Sequence, residues 1–321
     1  MMHAIVAREA GGPEVLELTE VERPVPGPGQ LLVKVAAVGV NFIDTYKRSG
    51  SYKVSYPFTP GSEASGSVEE IGDGVTGFSP GDRVATAEGV NCYAGYALID
   101  EDKALPVPRG VDDFTAAALP LQGITAHYLI NSTFKVEPGH TVLLHAGAGG
   151  VGLLLIQLLK ARGARVITTV STGDKDRLAR EAGADHVLRY DGFAAKVREL
   201  TDGTGADVVY DGVGKDTFDG SLDALRVRGT LVLFGAASGP VPPVDPQRLN
   251  AGGSLYLTRP TIVHYLRDAR ERRWRSDELF AAVADGSLKV RIGARYDLAE
   301  AARAHDDLEQ RRTTGKVILV P

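Results

Sequence analysis

Two hydrophobic rhythms divide the chain. Up to residue 120, apolar residues come in short β-type runs: HAIVA, QLLVKVAAVGV, GSVEEIG, DRVATA and GYALI. Turn sequences such as PGPGQ and SPGD separate them. Gly and Pro reverse the chain at those breaks, and the β-branched residues between them suit a pleated, half-buried surface. The pattern predicts an antiparallel, barrel-like β domain. From Thr141 to Leu257 strand-like and helix-like stretches alternate instead. TVLLHA precedes GVGLLLIQLLKARG, RVITTV precedes DKDRLAREAG, HVL precedes FAAKVRELT, and ADVVYD precedes DTFDGSLDALR; GTLVLFG and SLYL close the series. Such alternation means βαβ units and a parallel sheet. Six strands in two halves make a doubly wound, Rossmann-type dinucleotide-binding domain. After TRP at 258–260 come helical patterns and a last strand, KVILV. That tail is too small to stand alone and is expected to rejoin the first domain. The expected class is α/β, with a β-barrel domain over residues 1–123 and 261–321 and a Rossmann domain over 124–260.

Composition narrows the function. Apolar residues make up 43% of 321, enough for full cores, and the net charge of -5 gives no general pull toward nucleic acid or membrane. No apolar run approaches the ~18 residues of a membrane span. MMHAIVAREAGG lacks the basic-then-apolar order of a secretory signal. Cys92 is the single cysteine, so an intramolecular disulfide and a cysteine-rich zinc site are excluded. A cytoplasmic protein is expected. The one basic–aromatic stretch, RERRWRS, reads as a solvated helix face, and no nucleic-acid partner is expected.

Between the first Rossmann strand and its helix lies HAGAGGVG, in which Gly147, Gly149 and Gly152 fit G-x-G-x-x-G. The glycines allow a tight turn, close approach of backbone to a pyrophosphate, and close helix–strand packing. The helix N-terminus behind them offers free N–H groups to phosphate. An NAD site has an Asp or Glu about 20 residues on, for the ribose 2′-hydroxyl. That point falls at Val170 and Ser171, where there is no carboxylate; Ser171, Thr172, Lys175 and Arg177 follow instead. Hydroxyls and cations suit a 2′-phosphate, so NADPH is the expected cofactor. The competing reading is a solvated helix start in which Asp174 and Asp176 neutralise the two cations.

GVNFIDTYKRSGSY (39–52), PGSEASGSV (60–68), LQGITAHYLI (121–130), HAGAGGVG (145–152), YDGVG (210–214) and SLYLTRP (254–260) together resemble the zinc-free quinone oxidoreductases of the medium-chain dehydrogenase/reductase superfamily. The resemblance implies a GroES-like catalytic domain, NADPH and a homodimer joined through the Rossmann sheets. It puts Gly149, Gly150 and Val151 at the pyrophosphate. It puts Ser171, Lys175 and Tyr190 at the 2′-phosphate, and Thr125 and Phe234 at the nicotinamide end. Asn41, Asp44, Tyr46, Tyr52 and Glu63 match residues lining the family's cleft. Asn41, Tyr46 and Tyr52 are the candidate catalytic residues, with Asp44 and Glu63 on the cofactor side. Each also has a plainer reading, as a loop brace or a half-buried aromatic. Where zinc alcohol dehydrogenases have GHE this chain has GSE, with Ser62 in the histidine's place, and Asn41 corresponds roughly to a cysteine ligand. No metal is expected.

Without a metal, an alkoxide would lack strong stabilisation, whereas an electron-poor acceptor spreads the incoming charge over its own oxygen. The expected activity is therefore NADPH-dependent reduction of quinones. Two alternatives stand beside it: reduction of α,β-unsaturated carbonyls or 2-enoyl thioesters with Tyr52 as proton donor, and a redox-silent NADPH- or RNA-binding protein.

Overall fold

The structure, a computed structural model, describes residues 1–321. The chain divides into two compact units, Met1–Ile124 with Asp268–Pro321, and Thr125–Arg267. The second junction lies beyond the expected residue 260. Residues 261–267 stay with the second unit because Tyr265 stacks on Tyr128 at 4.4 Å between ring centroids and Leu266 is buried.

In the first unit, β1 (Met2–Val6) and β2 (Glu17–Val21) form an antiparallel ribbon. The long β3 (Gln30–Val40) pairs antiparallel with β4 (Ala64–Ile71). Then come β5 (Arg83–Thr86), β6 (Tyr96–Asp100) and β7 (Leu105–Pro106). Helix α1 (Phe42–Arg48) follows β3 directly, and α2 (Asp113–Ala118) and α3 (Pro120–Tyr128) close the segment. Asp112 starts α2 by accepting the Thr115 N–H, a normal N-cap.

In the second unit, strands β8 (Thr141–Leu144), β9 (Arg165–Thr169), β10 (His186–Leu188), β11 (Ala206–Asp211), β12 (Leu225–Leu233) and β13 (Tyr256–Thr258) alternate with helices. These are α4 (Gly150–Ala161), α5 (Gly173–Glu181), α6 (Phe193–Leu200), α7 (Phe218–Asp223) and α8 (Gln247–Ala251). All sheet pairings are parallel, in the order β10-β9-β8-β11-β12-β13. This is the doubly wound order, with its switch point between β8 and β11. Both sheet faces are covered, so β8 and β9 read as near-continuous apolar runs rather than alternating ones.

The tail returns to the first unit, as the sequence predicts. Helix α9 (Ala269–Ala284) leads to β14 (Ile292–Asp297), α10 (Ala301–Glu309) and β15 (Lys316–Val320). Strand β15 pairs antiparallel with β3 and parallel with β14, completing a seven-stranded sheet in the order β14-β15-β3-β4-β5-β7, with β6 also on β3. The basic stretch on α9 is in part the solvated face expected for it, with Arg270, Arg273 and Trp274 exposed, but Arg272 and Arg275 turn inward. Arg272 and Arg275 lie at the i, i+3 spacing of the buried stripe that continues to Leu279. They pair with Glu88 at 2.5 Å and Glu271 at 2.5 Å. Burial of the alkyl stems outweighs solvation once each guanidinium has a carboxylate.

Candidate active site

The glycine loop bridges β8 and α4. A Cβ on Gly147 would collide with the Thr168 side chain, and one on Gly152 with the Ala146 carbonyl and the Gly147 backbone. Neither collision can be relieved without moving the strand or the turn, so both positions require glycine. Gly149 is the N-cap of α4, and Gly150 and Val151 open its first turn, half-buried. Free N–H groups of that turn and the positive end of a twelve-residue helix suit a pyrophosphate.

Under this loop lies a fully buried polar chain built from the carboxyl ends of β8, β9 and β11. His145 follows β8, Thr169 ends β9 and Asp211 ends β11; Ser221 and Thr217 come from α7 and its N-cap. Ser221 Oγ donates to Asp211 Oδ2 at 2.8 Å. It has no second hydrogen, so His145 Nε2–H donates to Ser221 Oγ at 2.9 Å. The His145 Nδ1 then accepts from Thr169 Oγ1 at 2.8 Å. This tautomer agrees with an imidazole whose pKa burial pushes down to about 4. Asp211 also takes the N–H groups of Val213 and Gly214 and the Thr217 hydroxyl. The composition is that of a hydrolytic triad, but the geometry is not. Serine donates to aspartate rather than to histidine, and Ser221 and Asp211 are wholly buried. The chain fixes the strand ends; it attacks nothing. Its ring surface carries Tyr190, stacked on His145 at 6.2 Å and 24°. Phe234 continues from β12, its ring over Gly212, where any Cβ would meet it. Thr125 sits on α3, 7% exposed.

After β9 the chain turns through Ser171 and Thr172 into α5. Ser171 is exposed, Lys175 half-buried, and Thr172 caps α5 through the Lys175 N–H. Arg177, however, pairs with Glu181 one turn along its helix at 2.8 Å. The neutralising partner is Glu181, not the neighbouring aspartates.

In the first unit, the candidates on β3, α1 and β4 gather around a buried ammonium that the sequence reading left out. Lys316 Nζ, at the start of β15, donates to Asn41 Oδ1 at 2.7 Å and to Glu63 Oε2. Asn41 Nδ2 gives its two hydrogens to Gly39 O at 3.2 Å and Glu63 Oε2 at 2.8 Å. Glu63 Oε1 accepts the Leu121 N–H at 2.8 Å. Asp44 Oδ2 accepts the Asn41 N–H at 2.9 Å and the Tyr93 hydroxyl at 3.3 Å. Behind Tyr93 stand His305, Arg48 and Glu309. Arg48 can only donate, so His305 Nδ1 accepts from it at 3.2 Å and Nε2–H donates to Tyr93 at 2.9 Å. Burial, reinforced by Arg48, pushes the His305 pKa down to about 3. Burial pushes that of Asp44 up to about 6, against the Asn41 N–H and the Lys47 and Lys316 charges. Asp44 Oδ1 has no partner.

This geometry turns three of the candidates inward. Asn41, a candidate catalytic residue, spends both of its amide hydrogens inside the protein. Asp44 and Glu63 were expected at the cofactor, but both are 0% exposed and cannot touch one. Tyr46 and Tyr52 remain on the accessible side, 5.6 Å apart between rings, with Tyr52 46% exposed. The position of a zinc is filled otherwise: Ser62 accepts from Lys47 Nζ at 3.1 Å, and Asn41 and Glu63 hold Lys316. No group of three or more His, Cys, Asp or Glu could hold a metal ion, so these residues do not fit zinc.

Comparison with known proteins assigns the architecture to a family. Residues 27–136 match the alcohol dehydrogenase GroES-like domain and residues 150–280 the zinc-binding dehydrogenase domain. A quinone oxidoreductase of Pseudomonas aeruginosa is 47% identical over 315 residues, 97% of each chain. The chain belongs to the quinone oxidoreductase family. Both domain matches put this family in the medium-chain dehydrogenase/reductase superfamily, so the first unit is its GroES-like domain and the second its Rossmann domain. A mycobacterial protein complexed with NADPH superposes with a TM-score of 0.98 at 54% identity, covering 100% of both chains. The family has wider chemistry near this chain: a 2-haloacrylate reductase of Burkholderia is 41% identical over 100% of this chain and 99% of its own. No helix of the chain is long and apolar enough to cross a membrane.

Proposed function

We propose that this quinone oxidoreductase family member reduces quinones with NADPH, without a metal. The turn after β9 carries the reading. It offers a hydroxyl and a cation, Ser171 and Lys175, where an NAD site has an acid, and the mycobacterial neighbour at 54% identity was solved with NADPH. The N–H groups around Gly149, Gly150 and Val151 hold the pyrophosphate, Ser171, Lys175 and Tyr190 the 2′-phosphate, and Thr125 and Phe234 flank the nicotinamide. NADPH supplies the hydride when bound. Tyr46 and Tyr52 then offer hydroxyls to the acceptor oxygen, where a neutral hydrogen bond contributes about 0.5–1.5 kcal/mol. A quinone needs no stronger electrophile, because its own oxygen takes the charge and water exchanges the protons.

An activated alkene is the second reading, favoured by the 2-haloacrylate reductase at 41% identity. It differs in needing a proton delivered to carbon. General acid catalysis contributes typically about 10²–10⁴-fold there. NADPH oxidation should be measured with 1,4-benzoquinone, 9,10-phenanthrenequinone, an enone and crotonyl-coenzyme A, for wild type and Tyr52→Phe. Fast quinone turnover, changed less than about threefold by the substitution, is the expected result. Negligible quinone turnover beside fast enoyl reduction that Tyr52→Phe abolishes would establish the alkene reading instead.

We further propose a cytoplasmic homodimer built through the Rossmann sheet. The single thiol, Cys92, is buried and fits a reducing compartment. Strand β13 ends the sheet order, and Tyr256 and Val227 beside that edge are 62% and 64% exposed. An open apolar edge invites pairing with its own copy across a two-fold axis. Light scattering at micromolar concentration should give about twice 34.0 kDa; the monomer mass alone would reject this interface.

A further inference from the structure

The turn after β9 is gripped by a second cation. Arg189, the residue after β10, is exposed. Its Nη1 donates to Thr172 O at 2.7 Å and approaches Val170 O at 3.5 Å. The Val170 N–H donates to Leu188 O at 3.0 Å, extending the β9–β10 pair by one rung. The guanidinium therefore lies across the open end of that pair, with Ser171 between its two carbonyl contacts. Beyond Lys175, the two arginines of the same helix are committed elsewhere: Arg177 to Glu181 at 2.8 Å and Arg180 to Asp176 at 2.5 Å. Arg189 has no carboxylate partner, and its Nε and Nη2 groups make no bond within the protein.

We propose that Arg189 is a specificity-determining residue for 2′-phosphorylated adenine nucleotides, holding the Ser171–Thr172 turn with one nitrogen and presenting the rest of its guanidinium to the phosphate. The proposal rests on the NADPH reading above and adds to it a residue outside the glycine loop and the helix turn. A guanidinium is a planar fork that can serve backbone carbonyls on one side and phosphate oxygens on the other. A lysine ammonium lacks that flat, two-sided fork. The arrangement also accounts for the cations of the turn: Arg177 is free to pair along its helix because Arg189 supplies the second charge from the neighbouring strand.

The test uses two probes that differ only in the phosphate at issue, adenosine 2′,5′-bisphosphate and adenosine 5′-monophosphate, titrated by calorimetry into the full-length protein. Wild type should bind the bisphosphate more tightly. Arg189→Ala should weaken the bisphosphate by about 10- to 100-fold, as for a lost charge-assisted hydrogen bond, and leave the monophosphate within about twofold. Arg189→Gln keeps a donor for the Thr172 carbonyl but no charge, and it should lose the bisphosphate selectively as well. Arg177→Ala should change neither probe. Equal losses for both probes in Arg189→Ala would reduce Arg189 to a brace of the turn, and unchanged binding would remove it from the site; either overturns the proposal while the NADPH reading stands. If wild type itself fails to distinguish the probes, the NADPH reading falls and this proposal with it.

Discussion

Lys316→Met should cost the GroES-like unit about 3–5 kcal/mol, the range for removing one partner of a buried ion pair. Lys316 and Glu63 are 1% and 0% exposed. Burial pushes the Lys316 pKa down, and Glu63 opposes that shift by charge and hydrogen bond. Without the ammonium, Glu63 keeps only the Asn41 amide and the Leu121 N–H. It must then stay charged in an apolar surround or take up a proton. Either way the lost ammonium leaves a buried carboxyl short of a partner. Urea unfolding monitored on this unit measures the loss. Adding Glu63→Gln should recover much of the loss: the introduced amide can still accept the Leu121 N–H, and a turned Asn41 amide can accept from its nitrogen. A single-variant cost under about 1 kcal/mol would mean that the pair is solvated and worth no more than a surface salt bridge.

This cluster marks the boundary of what the sequence reveals. The Rossmann half was legible because each feature is local. The glycine loop, the absent acid and the β-rich runs all lie within a few residues of the elements they define. The GroES-like half was legible as strands, but not as a site. Asn41 and Lys316 are 275 residues apart, and only the antiparallel pairing of β15 with β3 brings them together. A lysine opening an apolar strand, KVILV, was the one available signal, since Lys is almost never fully buried unless paired. His305 and Glu309 reach Arg48 by the same return, on a helix that periodicity alone reads as ordinary. Strands β2 and β14 escaped for a different reason. ELTEV and IGARYD carry charges and have no fully buried residue, so little apolar alternation marks them. Arg189 was missed because a cation after a short strand has no spacing rule; its meaning comes from the neighbouring strand's carbonyls.

Mild acid should loosen the Rossmann unit before the GroES-like unit, and the buried titrating groups give both the sign and the margin. His145 folds neutral, with a pKa near 4 against an ordinary 6.5. A depressed histidine binds its proton in the unfolded chain first, so stability is intact above pH 6.5 and drains as pH falls below it. At pH 4.5 the shift amounts to about two units, or about 3 kcal/mol. His305 in the other unit has a pKa near 3 and drains by the same amount, about 3 kcal/mol, over that interval. There Asp44 works in the opposite direction. Its carboxyl is raised to about 6, so the folded state holds its proton better, and acidification from pH 6 to 4.5 returns about 2 kcal/mol. Asp44 thus offsets much of the His305 loss in the GroES-like unit, whereas no raised carboxylate is resolved that would offset the His145 loss in the Rossmann unit. The aspartates whose pKa values are lowered, such as Asp112 and Asp185, lose their contribution only below the ordinary 3.8 and stay outside this window. Limited proteolysis at pH 4.5 with an acid-active protease should cut first within residues 125–267. His145→Gln, which can accept from Thr169 and donate to Ser221, should abolish that early cleavage. Asp44→Asn should instead bring the GroES-like unit's acid loss up to about that of its neighbour. Simultaneous cleavage of both units in wild type, unchanged by His145→Gln, would show that His145 does not set the acid limit of the Rossmann unit and would overturn the prediction.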